Sequence, residues 1–158
     1  MSGHGAAFGA MATWRDRLAA LRAVLARFPL ALLQLMFRLS IGDVFWSSGM
    51  TKIASWQTTI VLFRDEYKVP LLPPVLAAEL AAAVELSCPV LLVLGLGARL
   101  ATLPMLAMTF VIGLFVYPED WIEHLGWAAM LLLILTRGPG ALSLDHLLAR
   151  KILGLNAR

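Results

Sequence analysis

The sequence predicts an all-α integral membrane protein, a four-helix bundle with amphipathic interfacial helices at both ends, and three observations lead there. The first is composition. Of 158 residues 60% are apolar and 15% charged, against roughly 45–50% and about 25% in soluble domains, and the mean hydropathy is +0.81. The second is where the charge sits, because ten of the 23 charged residues fall in 1–29 and 137–158 and leave a charge-poor centre. The third is punctuation. Pro29, Pro70 to Pro74, Gly95-Leu-Gly97, Pro118 and Gly138-Pro-Gly140 divide that centre into apolar segments of about the length that crosses a bilayer.

The same arithmetic excludes several classes. Disorder and a water-soluble domain do not fit so apolar a chain. Thirteen basic residues against ten acidic ones give a net charge of +3, too thin an excess for a nucleic-acid partner. Cys88 is the single cysteine, so no intrachain disulfide, Cys-x-x-Cys pair or cysteine zinc cluster forms. A redox role has to move electrons through something other than a dithiol.

Taken in order, the Gly- and Ala-rich first 12 residues predict a disordered start. Trp14, Leu18, Leu21, Leu25 and Phe28 then recur at helical spacing, flanked by Arg15, Arg17, Arg22 and Arg27. That pattern predicts a helix lying on the membrane surface, so 1–29 is a terminal arm. A secretory signal does not fit, because Arg38 and Asp43 interrupt the apolar run and no small-residue cleavage pattern follows. The membrane domain is expected over 30–136, with spans at about 30–50, 75–95, 100–117 and 121–136 and loops at 51–74 and 118–123. In the tail, 137–158, Ser143 is placed to cap a second interfacial helix carrying Leu144, Leu147, Leu148 and Ile152. Basic residues number nine in the arm, the Arg99 loop and the tail, and three in the other loops. The expected topology therefore has both termini cytoplasmic, in a bacterial-type inner membrane.

Arg38, Asp43, Glu79 and Glu85 fall inside the expected spans, where a charge costs about 2.5–3.5 kcal/mol on insertion scales. They need partners or water. At about 100° per residue, Arg38, Gly42, Phe45, Gly49 and Lys52 share one stripe roughly 80° wide. The two glycines would let another backbone approach it closely. Glu85 stands four residues before Pro89, whose missing N–H leaves the Glu85 carbonyl free. Glu85 is the expected partner of Arg38, and two readings of that pair stand. In one the charges only lock helices together. In the other, Glu85 and Arg38 are catalytic groups of a quinone or proton-relay site, with Arg38, Lys52, Asp43 and His124 around the bound head group. Lys52 reads as a snorkelling helix-end anchor, Glu79 as reaching the interface, and Asp43 lines up with Ser47 away from Arg38. His124 sits between Trp121 and Trp127 beside Glu119, Asp120 and Glu123. That segment reads as a wet helix end within a tryptophan belt, or as a contact to a metal or a quinone head, and no metal site is assigned. Cys88 reads as a buried, inert thiol.

These residues resemble a known pattern. Arg38-Leu-Ser-Ile-Gly42 with Ser48-Gly-Met-Thr-Lys52, Glu85 followed by Leu94-Gly-Leu-Gly-Ala-Arg99, and Arg137-Gly-Pro-Gly140 with Ser143-Leu-Asp145 are similar, in order and spacing, to the DoxX family of small four-helix membrane proteins. The resemblance runs over about 35–155 and matches Arg38, Gly42, Lys52 and Glu85. It implies a relation to the membrane subunit of thiosulfate:quinone oxidoreductases, and a link to redox assemblies and to oxidative or metal stress. No flavin, nucleotide, haem or cysteine-cluster motif is present, so electrons would come from a redox enzyme partner. Two functions follow as expectations. One is a quinone-binding membrane subunit. The other is a non-catalytic scaffold whose basic arms dock a cytoplasmic partner or anionic lipid, with Gly42 and Gly49 equally suited to a homo-oligomer.

Overall fold

The computed structural model describes residues 4–153, with side chains from Trp14 to Ile152. The chain divides into two units at Leu30 and Ala31. The first contains α1, His4–Ala26, on which Trp14, Leu18, Leu21 and Leu25 are exposed. Helix therefore covers most of the stretch whose composition predicts disorder, since alanine is a strong helix former; residues 1–3 lie outside the described ones.

The second unit is built on α2, Leu30–Ala54, α4, Pro74–Leu94, and α5, Ala98–Val111. Helix α5 runs on through a wider π-helical turn, Ile112–Val116. These three helices, of 25, 21 and 19 residues with that turn included, are long and apolar enough to cross a membrane. Helix α6, Trp121–Arg137, has 17 residues, the lower end of the usual range for a span. Among the described residues no strand occurs. The expected loop 51–74 is corrected, because it holds α3, Trp56–Leu62, continued by a π-helical turn over Phe63–Tyr67. Phe63 from that segment packs with Ala77, Ala78 and Ala81 in a small second core.

The main core is shared by Ile41 and Phe45 of α2, Cys88 and Leu92 of α4, Met105 of α5, and Leu131 and Ile134 of α6. Helices α2 and α4 meet through glycine. A Cβ on Gly42 would stand 2.8 Å from Val93 Cγ2, and one on Gly49 would stand 2.9 Å from Leu86 Cδ2. These glycines serve the contact inside the chain.

Arg38 is buried to 1% exposure. Its Nε donates to the Leu92 carbonyl at 2.7 Å, its Nη1 to those of Pro139 at 3.0 Å and Leu142 at 2.7 Å, and its Nη2 to that of Val93. The Leu92 and Val93 carbonyls belong to the last turn of α4, where helical donors run out and the helix dipole is negative. Gly95, at φ +69°, ends that helix, and a Cβ there would lie 2.9 Å from Arg38 Nη2. One guanidinium thus ties α2 to the end of α4 and to the segment after α6. One turn before it, Gln34 donates to the Gly138 carbonyl at 2.9 Å. From the tail, Asp145 accepts the Gly97 and Ala98 N–H groups at 2.8 and 3.2 Å. The Ser143 hydroxyl accepts the His146 N–H at 3.2 Å, the expected cap of α7, Leu144–Leu153.

Hydrogen bonds to charged groups contribute about 1.5–3 kcal/mol each. Arg38→Ala should therefore destabilise the detergent-solubilised protein by at least about 3 kcal/mol, and Arg38→Lys should recover only part of that. An unchanged melting temperature in Arg38→Ala would contradict the clamp.

Candidate functional site

A cavity of about 510 Å³ lies at the other ends of these helices, walled by α2, the turn after α3, α4, α5 with its wide turn, and α6. That size falls within the roughly 300–1,000 Å³ of small-molecule sites. Its walls are mostly apolar and aromatic, among them Phe45, Phe63, Val84, Met108 and Trp127, while Ser48, Lys52, Glu85 and His124 bring polar atoms to it.

The polar wall begins on α4. Glu85 sits near the middle of that helix and is 3% exposed. Its Oε1 accepts from Lys52 Nζ at 2.8 Å and from Ser48 Oγ at 3.2 Å. Lys52 also donates to Ser48 Oγ at 2.9 Å. The expected Arg38–Glu85 pair is therefore corrected: Lys52 is the partner of Glu85, and Arg38 is held by backbone carbonyls. The reason is register along α2. Arg38 stands level with the last turn of α4, whereas Lys52, 14 residues further along the same face, folds its stem inward and meets Glu85. The reading of Lys52 as an outward-snorkelling anchor changes accordingly.

Two buried side-chain atoms have no hydrogen-bond partner among the described residues, Glu85 Oε2 and His124 Nδ1. Both residues line this cavity. His124 is 7% exposed, with its ring 5.0 Å from that of Trp127 at 84° and against Gly113 of the wide turn that ends α5. The tryptophan-belt reading needs exposed rings, and Trp121 is exposed. It is corrected for Trp127, which turns inward against Phe45 at 6.0 Å between ring centroids.

Exposed Asp120 and Glu123 stand on the open edge of the cavity. Beside them the Tyr117 hydroxyl donates to Glu66 at 3.3 Å. Its phenol is held above the usual range by hydrogen bonding with Tyr67, by burial and by the Glu66 carboxylate, so it stays a donor at neutral pH. Tyr67 and Tyr117 meet edge to face at 5.9 Å.

The remaining expected site residues lie elsewhere. Arg38 lines no part of the cavity, and its engaged donors leave it positioned to hold helices, not a head group. Asp43 is exposed on α2 and lines a separate shallow groove with Leu39, Trp46 and Val90. It is corrected as a contact to the same ligand, because its side of α2 is turned away from the cavity. Glu79 is exposed too. Among the described residues no three His, Cys, Asp or Glu side chains converge as a metal site would need.

Sequence reasoning missed Ser48, Tyr67 and Tyr117 as neighbours of the site. Ser48 had a legible signal, four residues before Lys52 on the same face. The tyrosines had none, since Tyr67 closes one π-helical turn, Phe63–Tyr67, and Tyr117 follows another, Ile112–Val116, and no residue pattern marks either turn.

With this geometry in place, the DoxX family model matches residues 33–118. The chain belongs to the DoxX family. The match runs from α2 through the end of α5 and so takes in Arg38, Lys52 and Glu85; the Gly138 to Asp145 segment that engages Arg38 lies beyond it. No curated protein and no solved structure matches the chain. Family membership and three membrane-capable helices make this DoxX protein a multi-pass membrane protein.

Removing one member of a buried ion pair leaves the other uncompensated. Lys52→Ala should therefore destabilise this DoxX protein more than the Lys52→Ala/Glu85→Gln double variant does, with a coupling of about 1–3 kcal/mol in a double-mutant cycle. Strictly additive effects would contradict the pairing.

Proposed function

We propose that this DoxX protein is a membrane-embedded binding component for lipid-soluble aromatic molecules of the quinone class, in a redox assembly whose partner enzyme supplies the electrons. One observation carries the reading: the two buried side-chain atoms without a partner among the described residues belong to residues of a single, largely apolar cavity that Phe45, Phe63 and Trp127 help to wall. Buried polar groups are normally satisfied, and a ligand head group would satisfy these. The apolar walls suit a ring and its lipophilic tail. Glu85 is then the group that takes up or returns a proton, His124 is a second contact to the head, and Lys52 positions the carboxylate. Arg38 has a structural part.

In this reading α6 is the fourth span of a four-helix bundle, and α1 and α7 lie in the interface. The meeting of Arg38 with residues 139 and 142 supports an even number of crossings, and the excess of basic residues supports a cytoplasmic side for both ends. A second reading, a scaffold for a cytoplasmic or membrane partner, is favoured by α7, on which Leu147, Leu148 and Ile152 are exposed beside Arg150 and Lys151.

Protein purified in mild detergent should carry a lipid-soluble quinone detectable by mass spectrometry, or bind an added short-chain quinone such as duroquinone. Val84→Trp, which fills the cavity, should lower occupancy by at least about tenfold. Absence of any quinone binding by folded protein would end this reading and leave the scaffold. A reporter fused into 118–123 should read non-cytoplasmic, and a cytoplasmic signal there would reverse the topology.

A further inference from the structure

The arrangement of donors and acceptors at Glu85 goes further than the class of ligand. Taking the quinone-class reading as its basis, we infer that the cavity is built for a neutral head group that donates a hydrogen bond, the hydroxyl of the reduced diphenol, in preference to the carbonyl of the quinone or the head of an anionic amphiphile.

The argument counts hydrogen-bonding capacity. An ionised carboxylate only accepts, an ammonium only donates through three N–H groups, and a quinone oxygen only accepts. Glu85 Oε1 is used twice, by Lys52 and Ser48, while Oε2 is buried and unpaired. Lys52 uses two of its three donors, on Glu85 and Ser48. The Lys52–Glu85 pair therefore offers one free donor and one free acceptor, and His124 Nδ1 is the other buried side-chain atom without a partner among the described residues. A hydroxyl fills both, accepting from Lys52 and donating to Glu85 Oε2. A quinone oxygen fills only the first and leaves the buried carboxylate oxygen unpaired, the situation in which a site built for a hydroxyl rejects an analogue lacking it.

Charge points the same way. Lys52 is the single Lys or Arg side chain lining the cavity among the described residues, and Glu85 neutralises it at 2.8 Å. Asp120 and Glu123 at the open edge add only negative charge. An anionic head group would meet a compensated cation and two further carboxylates.

The test compares three probes on the full chain in maltoside micelles by anaerobic titration calorimetry: durohydroquinone, duroquinone and laurate. Durohydroquinone should bind about 10- to 100-fold more tightly than duroquinone, the worth of one hydrogen bond to a charged group, and laurate should not displace it. In Glu85→Gln the ratio between the two redox forms should collapse toward one, because the amide no longer presents a charged acceptor. Duroquinone binding as tightly as durohydroquinone in the wild-type chain, or displacement by laurate, overturns this inference and leaves the quinone-class reading standing. Binding of neither redox form to folded protein overturns that reading and this inference with it.

Discussion

The fold depends on a single buried guanidinium. Arg38 places a permanent charge where none would be tolerated alone, and its geometry suits a set of backbone carbonyls at the end of α4 and in the segment after α6. The end of α4 supplies two and the segment after α6 supplies two more. The requirement is reciprocal. Without the arginine the Val93 carbonyl would lack a buried donor, and without the left-handed turn at Gly95 the two chain segments could not converge on it. Asp145 and Gln34 extend the junction to the start of α5 and the turn after α6.

That junction leaves the opposite ends of the helices free to hold a different polar centre. There the charges are compensated within the site, Lys52 with Glu85, and the walls are mostly apolar with several aromatic rings. The wide turns at Phe63–Tyr67 and Ile112–Val116 both contribute to the walls of that cavity, and such turns are frequent at functional sites. The clamp residue Arg38 and the cavity-lining Lys52 are thus separated along α2, about four turns apart. Arg38 spends its donors on backbone, and Lys52 keeps one.

Much of this was legible in the residues. Length, hydropathy and Pro/Gly punctuation placed three membrane-capable helices, since a bilayer demands long apolar segments with satisfied backbones. The stripe of Arg38, Gly42, Phe45, Gly49 and Lys52 correctly named the inward face of α2, because helical periodicity is a property of the chain alone. Glu85 and His124 stood out as ionisable groups in apolar surroundings. The order and spacing of the motifs resemble the DoxX family, to which the chain belongs.

What tertiary structure alone decided was which of those groups meet. Pairing depends on the axial register between helices far apart in sequence, and periodicity carries no information about register. So Arg38 and Glu85, both inward and of opposite sign, looked like partners, while packing set them at different heights and gave each another neighbour. The same limit hid the inward turn of Trp127, the meeting of Tyr67 with Tyr117 and the capping of α5 by Asp145. The sequence by itself determined that charges enter the membrane domain and on which face of α2 they lie. The helix register decided that one of them holds the bundle and another faces a cavity.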